Sequence, residues 1–118
     1  MYESDYTKML MLKIEVHPQV YSELENARSW YEEHAKNLGS EFLEEVDRAF
    51  QTIKDSPTTW SWYDKKQKIR RFFIHRFPYA VIYRLTSSAI QIIAIKHLRR
   101  KPDYWKERLI YWSEDEEQ

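Results

Sequence analysis

The main change in the spacing of apolar residues along this chain falls at Ser56-Pro57, and that change sets the fold class. Before it, Val20, Leu24, Ala27, Tyr31, His34 and Leu38 recur at spacings of three and four in a charged stretch, the stripe of an amphipathic helix. Phe42, Val46, Ala49, Phe50 and Ile53 repeat the pattern. Pro18 suits a first helical turn, where its missing N–H costs nothing. Gly39 is expected to end the first helix as a left-handed cap, and Ser40 to cap the second, giving two antiparallel helices on a tight connection. Beyond Pro57, residues 69–77, 79–86 and 89–96 are rich in β-branched and aromatic side chains and have no helical stripe, so they read as strands. Residues 12–16 alternate Leu12, Ile14 and Val16 with Lys13 and Glu15, the mark of another short strand.

Phe77-Pro78 separates the first two of the later strands, and Thr86-Ser87-Ser88 turns between the second and third. A two-residue turn at Ser87-Ser88 pairs Arg84 with Gln91 and Ile82 with Ile93 on one face. It pairs Tyr83 with Ile92 and Val81 with Ala94 on the other. Both faces of this hairpin are largely apolar, which places it centrally with helices over one side. Trp60, Trp62 and Tyr63 are expected in a loop before the first of these strands. Trp105, Leu109 and Trp112 fall four and three apart, predicting a short terminal helix with an aromatic stripe. The predicted order is β-α-α-β-β-β-α, an α+β fold whose antiparallel-rich sheet carries a two-helix hairpin on one face. A single domain is expected over 12–112, between a flexible extension at 1–11 and an acidic tail at 113–118.

Composition narrows the chemistry. A chain of 118 residues suits one domain. The absence of cysteine excludes disulfides, thiolate-bound zinc, iron–sulfur clusters and thiol catalysis, and a single glycine excludes Gly-rich phosphate loops. No apolar run approaches the roughly 20 residues of a membrane span, so a soluble, cytoplasmic protein without membrane contact is expected. Glu32-Glu33 and Glu44-Glu45 are neighbours on helices and diverge by about 100°, so neither metal nor cofactor is expected. The formal net charge of zero conceals three blocks: residues 1–64 carry −7, residues 65–108 carry thirteen bases against two acids, and residues 109–118 carry −4. The basic third reads as the working surface, and removing 113–118 is expected to strengthen binding to acidic partners.

The order of elements, with Val16-His17-Pro18, Trp30-Tyr31-Glu32, Gly39-Ser40-Glu41-Phe42, Ile69-Arg70-Arg71, Arg76-Phe77-Pro78-Tyr79, Ile82-Tyr83, Ala94-Ile95-Lys96-His97 and Arg99-Arg100-Lys101-Pro102-Asp103-Tyr104-Trp105, resembles the RelE/ParE family of toxins from bacterial type II toxin–antitoxin modules. The resemblance implies a growth inhibitor silenced by a cognate antitoxin that wraps it with extended and helical segments. One branch of that family cuts mRNA on the ribosome, and the ParE-like branch inhibits DNA gyrase by binding it. The nuclease branch places an arginine three residues before the tyrosine of its middle strand. Ala80 stands there in this chain, and the His97, Arg99, Arg100, Pro102 ending is more similar to the ParE-like side.

On the nuclease reading, His97 would be a general acid, with Arg71 or Arg84 on the phosphate. On either reading, Arg70, Arg71, Arg76, Arg84, His97, Arg99, Arg100, Lys101 and Trp105 are the candidates for contact with target or antitoxin. Alternation sends Arg70 and Arg71 to opposite faces, whereas Arg84 and Arg76 are expected on a common side. A third reading is a family member that has kept only antitoxin binding. Oligomeric state is left open.

Overall fold

The structure is a computed structural model and describes residues 12–112, so the predicted extension at 1–11 and the acidic tail at 113–118 lie outside the described residues. Its elements are β1 (Lys13–Val16), α1 (Pro18–His34), α2 (Leu38–Asp55), β2 (Trp62–Asp64), β3 (Ile69–Phe73), β4 (Tyr79–Leu85), β5 (Ala89–His97) and a 3₁₀ turn (Lys106–Leu109) that leads into helical residues 110–112. The sheet order is β1-β5-β4-β3-β2, parallel between β1 and β5 and antiparallel elsewhere. This is the predicted α+β architecture with one strand more. Trp62 and Tyr63 form the short edge strand β2 against β3 instead of a loop, with a register shift between Trp62 and Asp64. Three residues are too few to show a period, so alternation could not reveal it.

Pro18 opens α1, and the Nδ1 of His17 accepts a hydrogen bond from the Gln19 N–H, at 3.1 Å, as an N-cap. The predicted helix boundary moves. α1 stops at His34, the left-handed residue is Asn37 (φ 69°), and Gly39 and Ser40 lie inside α2. Glycine is needed at 39 for space: a Cβ there would meet the Arg28 carbonyl oxygen at 2.6 Å. The Glu32 carboxylate closes the connection by accepting from the N–H groups of Asn37 (2.9 Å) and Gly39 (3.0 Å).

The two helices cover one face of the sheet. Val20, Ala27, Phe42, Val46, Ala49 and Ile53 pack there on Val81, Tyr83, Ile90, Ile92 and Ile95. The opposite face carries a second cluster, in which Trp105 and Trp112 of the C-terminal segment lie with Ile69, Ala80, Ile82, Ile93 and Ala94. The predicted pairs Arg84–Gln91 and Tyr83–Ile92 are present. A bulge between Tyr83 and Ile82 then shifts the register, so Ile82 faces Ala94 and Val81 faces Ile95. As a result Ile93 and Ala94 both contribute to the second cluster.

Candidate functional site

Strand alternation and the C-terminal segment distribute the predicted basic residues over three places. On β3, Arg70 turns toward the helices, donates to the Trp60 carbonyl at 2.6 Å and stacks 3.7 Å from the centroid of the Trp62 ring. Arg71 takes the other face, 5.1 Å from the Phe73 ring and 5.6 Å from the Tyr63 ring. Arg84 shares that face, donating to Gln91 at 2.8 Å, while Gln91 donates to Glu15 at 3.0 Å. Arg76 sits in the β3–β4 turn at φ 72° and pairs with Glu41 of α2 at 3.1 Å. It therefore reaches to the helical side, away from Arg84, and the two do not share a side as expected.

The third place is the end of β5. His97 follows Ile95 by two residues and so turns toward the helices. Its Nδ1 accepts from the Arg99 N–H at 3.1 Å, and its ring lies edge-on to Tyr79 at 5.0 Å. It lines a groove of about 580 Å³ between α1 and β5, with Ala27, Trp30, Tyr31, Tyr79 and Arg100 on the walls. Burial pushes the Tyr31 and Tyr79 phenols above the ordinary range, so both stay neutral donors at physiological pH. Arg99, Arg100 and Lys101 are exposed, and of the three Arg100 lines the groove. Arg100 is partly spent, stacked 3.6 Å from the Tyr104 centroid and 3.4 Å from a Glu23 oxygen.

His97 thus lies on the opposite face of the sheet from Arg71 and Arg84. The three candidates for phosphodiester cleavage do not converge, and Ala80 is buried between Phe73 and Lys96 with no guanidinium of its own. Trp105, expected among the contact residues, is fully buried. It anchors the C-terminal segment to the sheet, because the stripe it heads faces inward. Among the described residues, no group of three or more acidic or histidine side chains is placed to hold a metal ion. No described helix is long and apolar enough to cross a membrane.

A model of the family described as ParE toxin of type II toxin-antitoxin system, parDE, matches residues 14–102. The chain belongs to the ParE toxin family. Among solved structures, a chain of the chromosomal ParDE TA system from P. aeruginosa superposes with a TM-score of 0.67. It is 12% identical in sequence, and the match covers 76% of this chain and 99% of that one. No curated protein matches the sequence. The ParE-type fold accounts for the helical hairpin, the parallel β1–β5 pair and the antiparallel β3–β4–β5 meander. The family match ends at Pro102, short of the segment carrying Trp105, Arg108 and Trp112.

Sequence reasoning passed over Glu23, Tyr104 and Arg108, which tie that segment to the domain. Glu23 accepts from Arg108 at 2.9 and 3.1 Å, from the Tyr104 hydroxyl at 2.5 Å and from the Ile95 N–H at 3.0 Å. Arg108 also donates to the Ile93 carbonyl at 3.0 Å. β1 ends at Val16 opposite Ile92, so these two side chains bind the β5 edge where its strand neighbour stops. A signal was available. Glu23 stands three residues after Val20 and four before Ala27, a charge on the buried stripe.

Proposed function

We propose that this chain is the toxin of a type II toxin–antitoxin module, inhibiting growth by a ParE-like mechanism in which it binds DNA gyrase, and neutralised by a cognate antitoxin. The observation that carries the reading is the family match over residues 14–102 on a domain whose candidate nuclease residues stand on opposite faces. Cleavage through the 2′-hydroxyl needs acid, base and phosphate cations around one phosphorus. His97, Arg71 and Arg84 offer no such point. Protein binding makes no comparable demand, and exposed Arg99 and Lys101 beside an aromatic groove suit it.

The deciding experiment is induced expression, with plasmid supercoiling and mRNA integrity measured separately. Loss of supercoiling with intact mRNA is expected, and His97→Ala is expected to keep the effect. Codon-positioned mRNA cleavage abolished by His97→Ala would replace this reading with the ribonuclease one. Expression without growth arrest would leave a family member that only binds antitoxin.

The groove walled by Trp30, Tyr31 and Tyr79, followed in sequence by exposed Arg99 and Lys101, fits an apolar antitoxin anchor flanked by acids. Trp30 is 54% exposed, so Trp30→Ala is expected to weaken antitoxin binding at least tenfold while the fold persists. Unchanged affinity would place the antitoxin elsewhere.

A further inference from the structure

Most arginines of the basic third are committed to oxygen acceptors within the domain. Arg70, Arg76, Arg84, Arg100 and Arg108 each donate to a carbonyl, amide or carboxylate oxygen at 3.4 Å or less. Arg71 and Lys96 differ. Arg71 faces Ile82 and Lys96 faces Ala80 across β4, so they flank that strand diagonally on the face opposite α1 and α2. Lys96 is only 6% exposed, and its ammonium makes one bond, to the His97 carbonyl at 3.2 Å. The Arg71 Nε is buried without a hydrogen-bond partner. Among the described residues, neither side chain has a carboxylate in ion-pair range.

Lys96 is buried and Arg71 half-buried with its Nε out of contact with water, and a buried cation beside a second positive charge destabilises a fold unless an anion joins them. The Lys96 ammonium is indeed held below its ordinary pKa, by burial first and by Arg71 second. The Phe73 ring, 53% exposed beside Arg71, leaves the approach open from β3. We propose that Arg71 and Lys96 form a phosphate-binding site on the face of the sheet opposite α1 and α2, with Phe73 at its rim. A phosphate matches the pair better than a carboxylate does. It brings up to two negative charges against two cations, and its oxygens accept from the guanidinium fork and the ammonium at once. Free phosphate and a nucleotide phosphate present the same chemistry. The site is independent of the proposed gyrase mechanism, because it lies on the opposite face from the His97 groove.

The test is an NMR titration of the ¹⁵N-labelled full chain at constant ionic strength, using inorganic phosphate, uridine 5′-monophosphate, acetate and a hexaglutamate peptide in turn. Saturable shifts at the Arg71 Nε–H and the Phe73 amide are expected with phosphate, and only weak linear ones with acetate. Saturation by uridine monophosphate at lower concentration than by phosphate would support the site with a nucleotide as the source; the reverse order would support it with free phosphate. Lys96→Met, which keeps the stem and removes the charge, is expected to weaken binding at least tenfold, and Lys96→Arg to retain it. Should Lys96→Met fail to fold, Arg71→Lys, which loses the fork, is expected to weaken it severalfold. Shifts centred on Arg99–Lys101, binding unchanged in these variants, or tighter binding of hexaglutamate would overturn the proposal.

Discussion

Glu23 of α1 and Arg108 of the C-terminal segment, 85 residues apart in sequence, form a doubly hydrogen-bonded ion pair at 2.9 and 3.1 Å whose side chains are 9% and 8% exposed. The same two groups bind the Ile95 N–H and the Ile93 carbonyl, so the pair joins the C-terminal segment, α1 and β5 at one point. Breaking such a pair strands a buried charge, which costs more than the intact pair contributes. Glu23→Gln or Arg108→Met is therefore expected to lower unfolding free energy by about 3–5 kcal/mol. The double variant should cost clearly less than the sum, as a double-mutant cycle in urea would read. Additive losses would show that the two groups act independently.

His17 caps α1 and packs its ring edge-on to Tyr111 and Trp112, at 5.0 and 5.7 Å. Its pKa is lowered from 6.5, first by burial and then by the Arg108 charge, with Glu23 opposing. The unfolded chain then binds the proton more readily than the folded one. Stability is held above the unfolded value near 6.5 and falls as pH drops from there through the lowered folded value. His17→Asn, which keeps a capping acceptor, should flatten this part of the urea-midpoint profile relative to wild type. An unchanged slope would assign the dependence to carboxylates.

Gly39→Ala tests the helix–helix contact. In an unconstrained helix interior the change gains about 0.5–1 kcal/mol. Here the added methyl meets backbone, the Arg28 carbonyl oxygen at 2.6 Å, and the α1–α2 approach must open. A net loss of about 1–3 kcal/mol is expected, read from the thermal midpoint. A gain would mean the helices separate freely.

Tyr83 is fully buried, donates to the Pro57 carbonyl at 2.9 Å and has its phenol pushed up to about 12 by burial. It tethers the α2–β2 connection to the centre of the sheet. Tyr83→Phe leaves that carbonyl without its donor, and a loss of about 1–3 kcal/mol is expected by denaturation. Spectroscopic titration of wild type should show one more tyrosine resisting ionisation at pH 11 than the variant does.

Much of the fold was legible. The stripes Val20–Tyr31 and Phe42–Ile53, Pro18 as a helix start, the alternation at Ile14 and Val16 and the Ser87-Ser88 turn are local signals, and each stands in the structure. His34, by contrast, is exposed, and Leu38 belongs to the second helix. The divergence of Arg70 and Arg71 was legible for the same reason, since a strand's period assigns its faces. Gly39 misled because glycine serves both left-handed caps and close packing, and only the position of Arg28 distinguishes them. The bulge before Ile82 was hidden because Ile93 and Ala94 are both apolar and fit either register.

By itself, then, the sequence determined the kinds and order of all the elements but the short edge strand β2, and which face most side chains take, because these follow from periods of two and about 3.6 residues. It did not determine what covers each face. Trp105 heads a stripe that could have met a partner and instead meets Ile82 and Ala94. Glu23 and Arg108 each interrupt an apolar stripe, three residues after Val20 and Trp105 and four before Ala27 and Trp112. Only the tertiary structure made those interruptions a single buried pair. A charge is tolerated on a buried face when its counter-charge arrives from elsewhere in the chain, and periodicity carries no information about that arrival.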